Sequence, residues 1–261
     1  KTNGVSVGAV ASLAVSGLTA DLAITATFEF VGVGITVNGA DIFAGSGAGW
    51  TFAGTNLTLS GAGPYVISGA NTVPVSIVAA ADCTVVASNL TVDVSGKDDV
   101  TAFDCGTNAV TLALWSEAGT TNTFMSGEMR AGICVLSGAS LAITNLNDDA
   151  ALLAVGAAGG SFGAGIGGSF IVKGFLTVEG EECGSVTIFG GKITARGGGK
   201  NATGYGPGFG NDGTHAGEVS IRGGTVTANG NGGVRGLAKL RISGGTVIVD
   251  GRVADIEECS S

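Results

Sequence analysis

The most constraining feature of this chain is a phrase that occurs three times near its end. It reads VTIFGGKITA from Val186, VSIRGGTVTA from Val219 and LRISGGTVIV from Leu240. Each copy is a pair of short alternating strands joined by Gly-Gly. Val186 and Ile188 point one way and Thr187 the other, and Val219/Ile221 and Leu240/Ile242 repeat that order. After the glycines, Ile193, Val226 and Val247 point in, while Lys192/Thr194, Thr225/Thr227 and Thr246 point out. This is the period-2 signature of half-buried strands. A unit this small cannot bury its apolar face alone, so the copies must stack.

Looser versions of the phrase precede it: Leu57-Thr-Leu, Val75-Ser-Ile-Val, Leu90-Thr-Val-Asp-Val, Val110-Thr-Leu-Ala-Leu and Leu141-Ala-Ile-Thr. A third strand per repeat is read at Ala131-Gly-Ile-Cys-Val and Gly163-Ala-Gly-Ile-Gly-Gly. The expectation is an all-β fold, a right-handed parallel β-helix (β-solenoid) with three short strands per turn. The hand follows the chirality of parallel crossovers. The predicted organisation is an N-terminal strand, cap or assembly segment at 1–32, the β-helix at 33–252 and a C-terminal cap or tail at 253–261. Stacking in register predicts Glu218 beside Lys239 and Thr225 beside Thr246.

Composition agrees with many sharp corners. Of 261 residues 49 are Gly and only 3 are Pro, whereas the usual Gly share is about 7%. Apolar residues make up 44% and charged residues 13%, which excludes a disordered polyelectrolyte. Gly never holds every third place, which excludes collagen. The net charge of −9 with only 12 Lys and Arg makes nucleic acid a poor partner. No apolar run reaches the ~18 residues of a membrane helix, so no membrane insertion is expected. The apolar start, Val5 to Leu18, lacks the charged start and cleavage pattern of a signal peptide.

The five Cys are Cys83, Cys105, Cys134, Cys183 and Cys259, with no Cys-x-x-Cys pair. Zinc is therefore not expected, and a buried thiol is the reading for Cys105. Sequons at Asn56, Asn89 and Asn201 are possible glycosylation sites.

Several of these motifs together resemble a known module. Gly34-Ile-Thr-Val-Asn-Gly, Gly49-Trp-Thr-Phe, Asn56-Leu-Thr-Leu-Ser-Gly and Tyr65-Val-Ile-Ser-Gly are followed by Asn122-Thr-Phe, Gly138-Ala-Ser-Leu-Ala-Ile and the Gly-Gly pairs. In that order, from about Val33 to Gly251, they resemble a Gly-rich module of secreted bacterial surface proteins. That family is similar in fold to pectin-lyase-like right-handed β-helices and is often called carbohydrate-binding-domain-containing. The chain departs from it where the second Gly-rich signature reads Tyr205-Gly-Pro-Gly-Phe-Gly and the third Gly233-Val-Arg-Gly. The resemblance implies an extracellular location and adhesion or carbohydrate binding.

Chemistry-bearing constellations are sparse. A lyase of this fold would need a base and a neutralised carboxylate, often through Ca²⁺. Asp98, Asp99 and Asp104 are the candidate Ca²⁺ ligands. Acids in turns are usually solvated surface, and no other cofactor is expected. The outward acids on predicted strands, Asp93, Glu218 and Asp250, fall in different columns, which argues against the paired carboxylates of a glycosidase. His215 has no nucleophile to partner it, and no catalytic residue is identified. Trp50, Tyr205 and Phe209 are the candidate sugar platforms, since aromatic rings stack on apolar sugar faces. Outward Thr columns suit ice binding, but the ladder Lys192/Thr194, Thr225/Thr227, Thr246/Ile248 is too irregular. The leading reading is a secreted, non-enzymatic structural or adhesive protein, self-associating through its solenoid ends into fibres, with Val5 to Phe30 as the intersubunit element. The alternatives are a carbohydrate-binding module and, third, a polysaccharide lyase.

Overall fold

A computed structural model describes residues 32–156, 163–173, 177–198, 209–210, 217–230, 233–250 and 253–260. Among these described residues almost all regular structure is β: one 23-stranded sheet, a separate two-stranded hairpin and a single 3-10 turn at Ile42–Ala44.

Parallel pairing runs through the sheet in three lines. The first joins Tyr65–Ala70, Cys83–Asp93, Ala109–Trp115, Ser140–Asn145, Ser185–Ile188, Glu218–Ile221 and Val234–Ile242. The second joins the later half of Cys83–Asp93 to Asn122–Met125, Ala151–Val155, Lys192–Arg196, Thr225–Asn229 and Thr246–Asp250. The third is thinner, built on pairs such as Phe103–Asp104, Ile133–Cys134, Ile166–Gly167 and Phe209–Gly210. The strand Val253–Ser260 pairs in parallel with Val234–Ile242.

The expected right-handed β-helix with three short strands in every turn is corrected. The chain wraps instead as a nearly closed, barrel-like parallel sheet with a mixed portion. The opening strands are antiparallel: Ile35–Val37 with Ala40–Asp41 and Tyr65–Ala70, and Trp50–Ala53 with Asn56–Leu59. Further on, strands fuse across corners. Cys83–Asp93 is 11 residues long and Val234–Ile242 is 9. Each contains one residue in the left-handed region, Asn89 at φ 49 and Gly236 at φ 65. A single such residue turns the corner without ending the ladder, so the strand continues where a turn was expected.

The repeat register is as predicted. Glu218 lies opposite Lys239, and Thr225 opposite Thr246. The Gly-Gly pairs explain the tolerance for such close stacking. Gly224 has φ +83, and a Cβ there would run into the Gly191 carbonyl oxygen of the preceding repeat. Only glycine fits both demands.

Inward residues of all three lines meet in one core. Ile67, Val85, Leu112, Ile143, Ile188 and Ile221 belong to it. The Phe103 and Phe124 rings lie 5.5 Å apart, tilted by 44°, an arrangement aromatic pairs favour. Polar side chains close the corners from inside. Buried Asn122 accepts from the Leu90 N–H at 2.9 Å and donates to the Trp115 carbonyl at 3.0 Å. Ser126 accepts from the Ala102 N–H at 2.8 Å and donates to the Ala131 carbonyl at 2.6 Å. Such groups are tolerated in an apolar interior because each is paired.

Candidate functional site

The outward side of the first line is the candidate site. Its strands are fixed in register, so their outward residues form straight columns. One column runs Thr84, Thr111, Ala142, Thr187, Ser220. Beside it stand Val66, Val86, Ala113 and, one row further, Thr144. Phe189 continues that column, because its N–H donates to the Ile143 carbonyl at 2.9 Å. Ala109, Ser140 and Ser185 flank the hydroxyl column on one side. Ser68, Ser88 and Trp115 flank the apolar one on the other.

From the row of Val66 to the row of Phe189 the named positions carry no charge, in a chain of net charge −9, and the exposed Asp82, whose Oδ1 accepts the Ala109 N–H at 2.8 Å, bounds them on the hydroxyl side. Rows stand ~4.8 Å apart, so the neutral area extends ~20 Å along the barrel. Val66, Leu146 and Phe189 are exposed at 41%, 57% and 47%, and Trp115 is half-buried. Leu146 and Phe189 stand on adjacent rows, so their exposed apolar area is the part of this face that can be covered by a contact. Charge returns at the next rows, where the Arg222 guanidinium sits 5.3 Å from the centre of the Phe189 ring and Arg241 Nε lies 3.2 Å from Glu218 Oε1.

The residues singled out from sequence are placed elsewhere. Trp50 is 3% exposed and belongs to the core, so its ring presents no platform face. Tyr205, Asn201 and His215 lie outside the described residues. Phe209 pairs through its backbone with Ile166 and Val234. Asp98 is exposed in its turn. Asp99 Oδ1 lies 2.7 Å from Arg130. Asp104 accepts the Gly106 N–H at 2.8 Å. The three carboxylates therefore do not converge, and among the described residues no group of three or more His, Cys, Asp or Glu is placed to hold a metal ion. Asn56 is exposed at the start of its strand. Asn89 uses its Oδ1 to accept from the Glu117 N–H at 2.9 Å and the Thr120 hydroxyl at 2.6 Å.

Cys83, Cys105, Cys134 and Cys183 are free and buried. Burial pushes the Cys183 thiol up to about 12 and raises Cys105 and Cys134 strongly. Cys83 is raised too, by burial and then by Asp82. Protonated thiols are poor nucleophiles and poor metal ligands at neutral pH, so these four pack as apolar groups.

Sequence reasoning missed the face because the outward residues it followed were acids and the Thr ladder after each Gly-Gly, on the second line of strands. The signal was present at the position before each Gly-Gly, which holds Phe189, Arg222 and Ser243. That position is outward in each copy. Fold and face together define an all-β, barrel-like protein with one weakly charged strand face. No family model, curated protein or solved structure matches the chain.

Proposed function

We propose that this is a secreted, non-catalytic structural or adhesive protein that works by surface contact through its neutral face. The observation that carries this reading is the pair of uncharged central columns from Val66 to Phe189 and from Thr84 to Thr187 on an acidic chain, with Asp82 at their edge. The strands that carry these side chains are paired on both sides, antiparallel to Ile35–Val37 at the Val66 end and parallel elsewhere, so little backbone freedom is lost on contact. Exposed Val66, Leu146 and Phe189 supply apolar area worth ~25 cal/mol per Å² once covered. The hydroxyl column of Thr84, Thr111 and Thr187, all half-buried, supplies hydrogen bonds without charge.

A second reading, a carbohydrate-binding module, is favoured by Trp115 and Phe189 standing on this face, two rows apart. Aromatic rings on a flat sheet suit the apolar side of a sugar chain. The partner is then a neutral polysaccharide, with no cofactor required.

Retention of the protein on insoluble neutral polysaccharides and on protein-coated surfaces tests both. The Phe189→Ser/Val66→Ser variant should lose retention while keeping its fold. Loss on polysaccharide alone favours the second reading. Retention unchanged in the variant on every surface refutes both.

End-to-end self-association is a separate proposal. It is supported by the strand Thr246–Asp250, which among the described residues pairs only with Thr225–Asn229. An unpaired strand edge is a template for another chain. Electron microscopy over a concentration series tests it: fibres or particles of doubled length support it, and single particles throughout exclude it.

A further inference from the structure

The last rung of the second line of strands, Thr246–Asp250, leaves the end of the core open. Val226 and Ala228, on the rung before it, are fully buried. Val247 and Val249 lie directly opposite them. With Ile242 they pack on the core yet are only half-buried, and Ile248 on the outward side is 50% exposed. The backbone is open as well. The Thr246 N–H donates to the Gly224 carbonyl at 2.8 Å, and the Asp250 carbonyl accepts from the Gly230 N–H at 3.3 Å. Backbone groups of successive strand residues alternate sides. Thr246, Ile248 and Asp250 therefore serve the ladder to Thr225–Asn229, and the N–H and C=O groups of Val247 and Val249 face the free edge. Among the described residues no strand pairs there. Exposed edges are normally blunted with Pro, Lys or a bulge, and Thr246-Val-Ile-Val-Asp250 has none of these.

The sequence holds a segment that fits this edge. From Leu22 to Phe30, outside the described residues, it reads LAITATFEF. Leu22, Ile24, Ala26, Phe28 and Phe30 form one alternate set and Ala23, Thr25, Thr27 and Glu29 the other. The first set is apolar throughout, as a strand laid over Ile242, Val247 and Val249 must be. The second continues the threonines of the outward column Thr123, Thr194 and Thr227. The attachment of Gly32 decides which copy donates the segment. The Thr72 hydroxyl donates to the Gly32 carbonyl at 3.0 Å, beside Tyr65–Ala70. Six ladder steps lead from Tyr65–Ala70 to Thr246–Asp250, which is ~29 Å along the pairing direction at ~4.8 Å per step. Phe30 is two residues from Gly32, a reach of ~7 Å. We propose that residues 22–30 of one copy add as a strand to the Val247/Val249 edge of the next. This rests on the end-to-end self-association above and names its donor and its acceptor. The two surfaces differ, so each junction leaves one donor and one edge free, and copies add into an open chain.

The test uses the full chain, with its mass in solution read by light scattering and its fold by circular dichroism. Ile24→Asp/Phe28→Asp puts two carboxylates on the apolar set of the donor. Val249→Pro removes an N–H that faces the free edge and that the ladder to Thr225–Asn229 does not use. Alone, each variant should stay at single-chain mass at concentrations where the unaltered chain grows. Mixed in equal amounts they should reach twice that mass and stop, because the edge variant keeps an intact donor and the donor variant an intact edge. A mixture that stays at single-chain mass, or either variant growing as the unaltered chain does, overturns the donor-strand junction, while growth of the unaltered chain leaves end-to-end association standing on other contacts. An unaltered chain that stays single at every concentration overturns both. Should Val249→Pro unfold, a synthetic peptide of residues 20–31 takes its place. It should bind the donor variant one to one and halt growth of the unaltered chain, and the same peptide with both Asp substitutions should do neither. Absence of binding, or equal binding of the two peptides, overturns the junction.

Discussion

Glu218 stands directly opposite Lys239 across two parallel strands, yet its carboxylate lies 3.2 Å from Arg241 Nε, one outward position further along. Register, set by the apolar residues between them, brings the three charges together. The Glu218 and Arg241 side chains are 41% and 52% exposed, so the pair contributes little. A double-mutant cycle on Glu218→Gln and Arg241→Gln should give a coupling under ~1 kcal/mol that shrinks with added salt. A larger, salt-insensitive coupling would mean the pair helps to set the register.

The Gly-Gly corners should be far more sensitive. Gly224→Ala meets both a left-handed φ and the Gly191 carbonyl, whereas Gly138→Ala meets a φ of +90 and open space. Gly138→Ala should cost ~1–2 kcal/mol from backbone strain alone, and Gly224→Ala clearly more. Urea denaturation of the two variants gives the comparison, and equal losses would show that stacking contact adds nothing.

Phe124 is fully buried and packs on Phe103. Phe124→Ala should lose ~3–5 kcal/mol, since the rigid ladders around the ring cannot collapse into the cavity. Asn122→Ala should cost ~1–3 kcal/mol because it strands the buried Leu90 N–H. A near-neutral Asn122→Ala in thermal melts would mean that the corner relaxes to find another partner.

The buried thiols give a pH prediction. Cys183 holds its proton to about 12 in the folded chain against 9.0 as its ordinary value. The folded state therefore binds that proton more tightly than the unfolded one. Its contribution to stability is complete below the ordinary value and is lost as pH rises toward the folded one. Denaturation curves should show stability falling above about pH 9, with a shallower fall in Cys183→Ala. An unchanged slope in that variant would assign the alkaline loss to other groups.

The sequence showed the strands and their register more clearly than the way they close. Apolar alternation in Val186–Ile188, Val219–Ile221 and Leu240–Ile242 fixes which residues face in, and in-register stacking then fixes Glu218 against Lys239. Periodicity carries no mark for a corner turned inside a strand. Asn89 and Gly236 look like ordinary polar and small residues, so the fused strands and the barrel-like wrap were not legible. Trp50 was misplaced for a related reason. An aromatic residue beside glycines reads as exposed, but the antiparallel opening folds it into the core. The neutral face was hidden because its residues are individually bland. Only the ladder gathers Val66, Val86 and Phe189 into one column. The Asp99–Arg130 ion pair joins residues far apart in sequence through turns, where no periodic signal exists.

The strand face from Val66 to Phe189 is the working surface of the proposed function. The direct measurement is solid-phase adsorption of two charge-matched variants. Thr111→Asp/Thr187→Asp places two carboxylates on that face, and Thr123→Asp/Thr194→Asp places two on the outward side of the second line of strands. Both pairs of sites are half-buried outward threonines. The first variant should lose adsorption and the second retain it, with both folded. Equal loss in the two would reduce adhesion to net charge, and full adsorption by the first would mean that this face is not the working surface.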